Sequence, residues 1–217
     1  MEINEKLIAD MVRAAMAEVK KEACGKTDGI PVGISNRHIH LSREHLDILF
    51  GKGYELTKLK DLSQPGQYAC KELLTIVGPS LRPIENVRVL GPLRPRSQVE
   101  ISQTDSYVLK VKPPVRESGK LDGSAPITVI GPKGTVTLAE GCIIANRHIH
   151  MHTSDGVRFG VKDGDYVTVQ ADGVRRTRFY DVQVRVHEQF ALEMHLDTDD
   201  ANAVGIKNGF AVQIVKD

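Results

Sequence analysis

The chain opens on a helical period. Leu7, Ile8, Met11, Val12, Ala15 and Val19 fall on one face of residues 3–24, and Asp10, Arg13, Glu18, Lys20, Lys21 and Glu22 on the other. The pattern predicts an amphipathic helix within residues 1–25, stopped by Gly25. Such a helix packs on the body of the protein or on a dimer partner, or it serves as a detachable peptide that docks elsewhere. Gly25 to Gly29 then reads as a linker.

From Pro31 the period changes. Short Val- and Ile-rich runs sit between Gly-Pro, Asp-Gly and Pro-Gly breaks, which predicts strands. The candidates are Val32–Asn36, Leu73–Val77, Val87–Leu90, Gln98–Ile101, Ile127–Ile130, Cys142–Asn146, Tyr166–Gln170, Phe179–Val186, Ala191–His195 and Ala211–Val215. Two short helices are expected. One is capped by Ser42 and runs through Phe50; the other is capped by Thr198, runs through Val204 and stops at Gly205. Strands and helices do not alternate as in a doubly wound sheet. The expected fold is mainly β, as small barrels rather than an open sheet.

One segment occurs twice. Ile34-Ser35-Asn36-Arg37-His38-Ile39-His40 returns half a chain later as Ile144-Ala145-Asn146-Arg147-His148-Ile149-His150. Each copy follows a strand-like run, and each is followed by a segment ending in Phe-Gly, at Phe50-Gly51 and Phe159-Gly160. The repeat predicts two related halves, each offering the same device at a strand end.

Composition narrows the classes. The 217 residues carry 29 Lys+Arg against 28 Asp+Glu, a net charge of +1, with 41% hydrophobic and 26% charged residues. That is enough apolar material for a core. The near-zero charge, with no Trp and only 5 Tyr and 5 Phe, argues against nucleic acid as a partner. No 18-residue apolar run predicts a membrane span, and the acidic start at Glu2 and Glu5 is unlike a secretory signal. Cys24, Cys70 and Cys142 lie far apart without a Cys-x-x-Cys pair, which points to a reducing, cytoplasmic setting. The anomaly is 8 histidines, clustered.

His-x-His on an extended chain puts both imidazoles on one face. A lone histidine is ordinarily a satisfied core or surface residue, but two copies with identical flanks point to a borderline metal such as zinc. Two imidazoles do not complete a site. The further candidates are His45, His152, His187, His195 and the acids, Glu100 among them. His152 shares a face with His148 and His150 by spacing, whereas His45 on a helix turn and His187 in a turn read as ordinary surface residues. Glu100 sits opposite in phase to Val99 and Ile101, as a solvated carboxylate does, and becomes a ligand only on a concave face. Arg94 and Arg96 stand in the Pro-stiffened loop Gly91-Pro92-Leu93-Arg94-Pro95-Arg96-Ser97, with Arg88 upstream. A guanidinium fork matches phosphate, although many surface arginines serve solubility alone. No phosphate-binding P-loop, nucleophile elbow or dinucleotide fingerprint is present.

At these residues the chain resembles the PduL-type phosphotransacylases, the phosphate propanoyltransferases. The resemblance is carried by Gly33 to Ser42, Gln64-Pro65-Gly66-Gln67-Tyr68-Ala69, Val87 to Arg94, Ser97 to Ser102, Asn146 to Met151, and Leu192 to Asp199 with Ala201-Asn202-Ala203. It covers almost everything from about Pro31 to the C-terminus. It implies the interconversion of short acyl-CoA, such as propanoyl-CoA, and phosphate with acyl phosphate and CoA. It implies two β-barrel domains with short capping helices, interleaved in sequence: 26–36 with 146–217, and 37–145. It implies two zinc ions, one held by His38, His40 and Glu100 and one by His148, His150 and His195. Arg94 would bind phosphate and serve catalysis; Ile34, Ser35, Asn36, Arg88 and Asn202 would contact CoA. A homodimer is implied too. The N-terminal helix is similar to encapsulation peptides that take such enzymes into bacterial microcompartments. The chain departs from the family at Ser80, where a CoA-contacting Lys is expected and Arg82 is the nearest substitute, and at His152, where Ser is expected.

The implied chemistry needs no protein nucleophile: phosphate held by Arg94 attacks a thioester carbonyl polarised by zinc. Two other readings compete. A metal-bound water in place of phosphate would make a hydrolase, and closed four-ligand sites would make a non-catalytic, metal-stabilised binding protein.

Overall fold

The computed structural model describes residues 29–215, so the helix expected over 1–25 lies outside the described residues. The strands, in chain order, begin with β1 (Ile30–Ser35), β2 (His38–His40), β3 (Lys58–Asp61), β4 (Tyr68–Val77) and β5 (Pro83–Gly91). They continue with β6 (Gln98–Glu100), β7 (Val115–Arg116), β8 (Ala125–Ile130), β9 (Thr135–Ala145) and β10 (His148–Met151). The last are β11 (Tyr166–Ala171), β12 (Thr177–Val186), β13 (Glu193–Asp197) and β14 (Ala211–Val215). Four short helices intervene among the described residues: α1 (Arg43–Phe50), α2 (Gln103–Leu109), α3 (Thr153–Phe159) and α4 (Thr198–Val204). The protein is mainly β, as its pattern predicted.

The strands close into two barrels. One runs β1-β13-β10-β12-β11-β14 and returns to β1 through the β1–β14 pair. The other runs β4-β5-β2-β6-β9-β8 and closes through β8–β4, with β3 on the edge of β4 and β7 beside β9. Closure removes the free edges that an open sheet of these short strands would expose. Each barrel has its own apolar core. Ile39, Leu46, Leu49, Val89 and Val99 belong to one; Ile149, Met151, Val184, Met194 and Leu196 belong to the other.

The chain changes barrels twice, and each change occurs at a copy of the repeat. β1 pairs in parallel with β13, and two residues later β2 lies in the other barrel between β5 and β6. β9 pairs in parallel with β6, and two residues later β10 lies between β12 and β13. The His-x-His segments are thus strands of their own, not the ends of the preceding strands. Ile39 and Ile149 are fully buried in their barrels' cores, so strand alternation turns the flanking histidines to the opposite face.

Several local expectations need correction. Asp197, not Thr198, caps α4: its carboxylate accepts from the Asp200 amide, and Thr198 is the first helical residue. A carboxylate held by a strand end is the better acceptor there, and Gly205 closes the helix in the left-handed region as expected. Helices α2 and α3 carried too few apolar positions to announce themselves. Their caps are Ser102, in a reciprocal box with Asp105, and His152. Among the described residues, no helix is long and apolar enough to cross a membrane.

Candidate active site

The donors of the repeat converge with residues that are distant in sequence. His38 faces Glu100 across the β2–β6 pair, and His148 faces His195 across β10–β13. The ligating atoms of His38, His40 and Glu100 lie within 4.8 Å of one another, and so do those of His148, His150 and His195. His38, His40, Glu100, His148 and His150 are buried, and His195 is half-buried. The alternation that read Glu100 as a solvated carboxylate failed because β6 is covered on both faces: Gln98, Val99 and Glu100 are all buried.

Ring orientation is set by the backbone. His38 Nδ1 lies 2.9 Å from the Asn36 carbonyl, and His148 Nδ1 lies 2.8 Å from the Asn146 carbonyl. A proton on each Nδ1 satisfies these contacts and leaves each Nε2 free to bind a cation. His150 presents Nδ1, 3.2 Å from His195 Nε2, and the His148 and His195 rings stack at 4.9 Å. His40 Nδ1 is buried without a hydrogen-bond partner. A buried, unpartnered ring nitrogen beside a second imidazole and a carboxylate is costly unless a cation completes it, and this donor set suits zinc.

Charge separates the two groups. Burial alone would raise the Glu100 carboxyl, but the adjacent His38, His40 and the Ser118 hydroxyl hold it well below the usual carboxylate range. Burial opposes the charged form of His38, yet Glu100 outweighs it and raises the imidazole. In the all-histidine group the carboxylate of Glu193 contacts His195 and not His148 or His150. Burial, reinforced by its neighbours, pushes His148 down to about 4 and His150 to about 2, so both are neutral at physiological pH. Burial and the charges of His38 and Arg94 keep His40 well below its ordinary value as well.

Arg94 enters this site and Arg96 does not. Arg94 Nη1 donates to Ser118 Oγ (3.0 Å), and that hydroxyl donates to Glu100 Oε1 (2.8 Å). Arg96 turns outward to Asp122 and Glu140. Ile34, Ser35 and the exposed Asn36 lie at the first crossover, where Ser35 pairs with Asp197 just before α4, the helix that carries Asn202. Arg88 pairs in register with His38, and its guanidinium donates to the Cys70 carbonyl (2.7 Å). Ser80 donates to the Leu109 carbonyl (3.2 Å), and Arg82 is exposed.

The remaining histidines lie outside both groups. His152 faces away because β10 ends at Met151; its Nδ1 accepts from the Ser154 amide at the start of α3. His45 is half-buried rather than a surface residue, 2.7 Å from Ser97 Oγ, and His187 packs on Phe190. Sequence reasoning missed Ser118, Gln98 and Glu193, whose carboxylate lies 3.0 Å from His195 Nε2. It also missed Asp105 and Asp200, which pair with Arg37 and Arg147 of the two repeat copies. The last two were legible: each follows its half's third donor, Glu100 or His195, at the same interval.

Known proteins resemble this chain over nearly its whole length. A family model for phosphate propanoyltransferase matches residues 31–207. The phosphate propanoyltransferase of Lachnoclostridium phytofermentans is 56% identical over 216 residues, 99% of this chain and 100% of that protein. Those of Thermotoga maritima and Rhodobacter capsulatus are 55% and 49% identical, over 97% and 95% of this chain and 100% and 97% of theirs. The protein is an acyltransferase. Its chain belongs to the phosphate propanoyltransferase family.

Proposed function

We propose that the protein uses two zinc ions to interconvert a short-chain acyl-CoA, propanoyl-CoA foremost, and phosphate with the acyl phosphate and CoA. The observation that carries this reading is the Arg94–Ser118–Glu100 chain of hydrogen bonds. It ties a guanidinium suited to an anion to one of the two metal-type donor groups. His38, His40 and Glu100 would hold one ion, and His148, His150 and His195 the other.

Zinc held there would supply Lewis acidity to the thioester. The chain's own groups do the rest. Arg94 holds phosphate by a charge-assisted fork, and Ser118 fixes the guanidinium's orientation. A phosphate oxygen attacks the acyl carbon, the carbon–sulfur bond breaks, and CoA leaves as thiolate. Ile34, Ser35, Asn36, Arg88 and Asn202 would seat CoA at the first crossover, close to His38. Burial pushes the Cys70 thiol up to about 11 and Cys142 to about 12, which suits a mechanism without a covalent acyl-enzyme.

The test is CoA release from acetyl-, propanoyl- and butanoyl-CoA, with and without phosphate, on protein of measured zinc content. Release that depends on phosphate and is fastest with propanoyl-CoA supports the reading. Equal release without phosphate makes the protein a hydrolase, and metal-free active protein removes the zinc. A cytoplasmic homodimer, taken into a microcompartment by residues 1–25, completes the proposal. Sedimentation tests the dimer, and co-purification with shells, with and without residues 1–25, tests the targeting.

A further inference from the structure

A second arginine reaches the same centre from the other barrel. Arg185 lies on β12 in register with His150. Its positive charge acts on Arg94, His148 and His150. Its guanidinium sits over Phe190, 5.7 Å from the ring centroid, and Phe190 packs on the His150 ring at 4.4 Å. Two half-buried guanidinium groups that repel one another favour a shared anion.

The anionic neighbour that the structure gives Arg185 is Glu117, 3.4 Å from Nη2, a long contact for an ion pair. Glu117 is shared: Lys120 approaches it at 2.8 Å and Gln183 at 3.5 Å. Glu117 is also the residue before Ser118, the hydroxyl that orients Arg94. Beside these groups lies a cleft of about 400 Å³ between the barrels, lined by Glu117, Lys120, Gln183, Arg185, His187 and Phe190. Its volume accommodates a small anion such as phosphate or a short acyl phosphate. Its lining pairs two cations with an aromatic wall; of its two carboxylates, Glu117 contacts both cations, and Asp163 accepts from the Val186 amide.

We propose that Arg185 is a second anion-binding residue of the reaction, which holds the phosphoryl group of phosphate or acyl phosphate at the inner end of this cleft, opposite Arg94. Glu117 competes with that anion for the guanidinium. Two forks on one phosphoryl group would fix its orientation as well as its position. The cleft is then the side from which the small anion enters, separate from the crossover at Asn36 where CoA would sit. This deepens the phosphotransacylase reading and rests on it for the identity of the anion.

The test uses the full, zinc-loaded chain and its Arg185→Gln and Glu117→Gln variants. Arg185→Gln is expected to raise KM for phosphate and for acyl phosphate about tenfold or more, while KM for acyl-CoA and CoA changes less than about twofold. Glu117→Gln is expected to lower KM for phosphate. Unchanged phosphate KM in Arg185→Gln, or an equal rise for all four substrates, overturns the proposal. Binding is read independently on the unmodified chain, as phosphate protection of Arg185 against phenylglyoxal, mapped by peptide mass spectrometry. Protection supports the site, and equal modification with and without phosphate overturns it. A chain that releases no CoA in response to phosphate refutes the functional reading, while the protection experiment still decides Arg185.

Discussion

His38 and Glu100 stand directly opposite each other on β2 and β6, with Nε2 3.5 Å from Oε2. The equivalent ladder position in the other barrel is held by His148 and His195. One fold element has been used twice, with a carboxylate in one copy and an imidazole in the other. On the two-zinc proposal, replacing Glu100 by Ala should therefore empty one of two metal positions. Elemental analysis is expected to show bound zinc falling by about half, with a similar loss in His195→Ala. Complete loss in either variant would mean that the two groups bind metal as one unit.

If Arg94 holds phosphate as proposed, Arg94→Ala should leave the zinc content unchanged and lose most transfer activity, by about 10²–10³-fold. The assay is phosphate-dependent CoA release beside zinc analysis of the same sample. Near-normal activity would remove Arg94 from the reaction.

The two aspartates that follow the third donors are not equal. Asp105 is buried, caps α2 reciprocally with Ser102, and receives Arg37 through two contacts of 2.8 and 2.7 Å. Asp200 meets Arg147 through one contact of 3.5 Å. Asp105→Ala should cost about 2–4 kcal/mol in urea unfolding, and Asp200→Ala about 1 kcal/mol or less.

Burial raises Asp200 to about 6, against the opposing pull of Arg147. A carboxyl whose folded pKa lies above its ordinary 3.8 holds an extra proton in the folded state between those values. Its contribution to stability therefore falls as pH rises from about 4 to 6. Asp200→Asn should remove that downward component, seen as a flatter dependence of the urea midpoint on pH over this window.

Cys70 and Cys142 should resist maleimide in the native protein and react after unfolding. Both are buried, and their thiols are raised far above neutral pH. Peptide mapping reads the result. Fast native labelling of either would reopen a covalent mechanism.

Much of the architecture is legible in the sequence. The Val- and Ile-rich runs located ten of the strands, and β14 has its expected limits, Ala211–Val215. Most other limits moved, because ladder partners extend or trim a strand beyond its apolar run. β4 begins at Tyr68 rather than Leu73, and β13 begins at Glu193 rather than Ala191. Strands β3 and β7 were not legible: the first is wholly exposed and the second is two residues long. Neither carries a buried face to leave a pattern.

The site divides along a similar line. Repetition of Asn-Arg-His-Ile-His shows that two like devices exist, because period-two alternation around a core Ile puts both imidazoles on one face wherever the segment is extended. Spacing alone could not choose the third donor, and it favoured His152 as readily as His195. That choice belongs to the fold: β10 stops at Met151 and turns His152 into a helix cap, while antiparallel pairing brings His195 opposite His148. The same holds for the two arginines of one loop. Alternation cannot say that Arg94 turns in to Ser118 and Arg96 out to Asp122, since their partners come from segments more than twenty residues away. Local sequence carries the period and the donor types; long-range pairing decides which donors meet, because only it sets which faces of two distant strands look at one another.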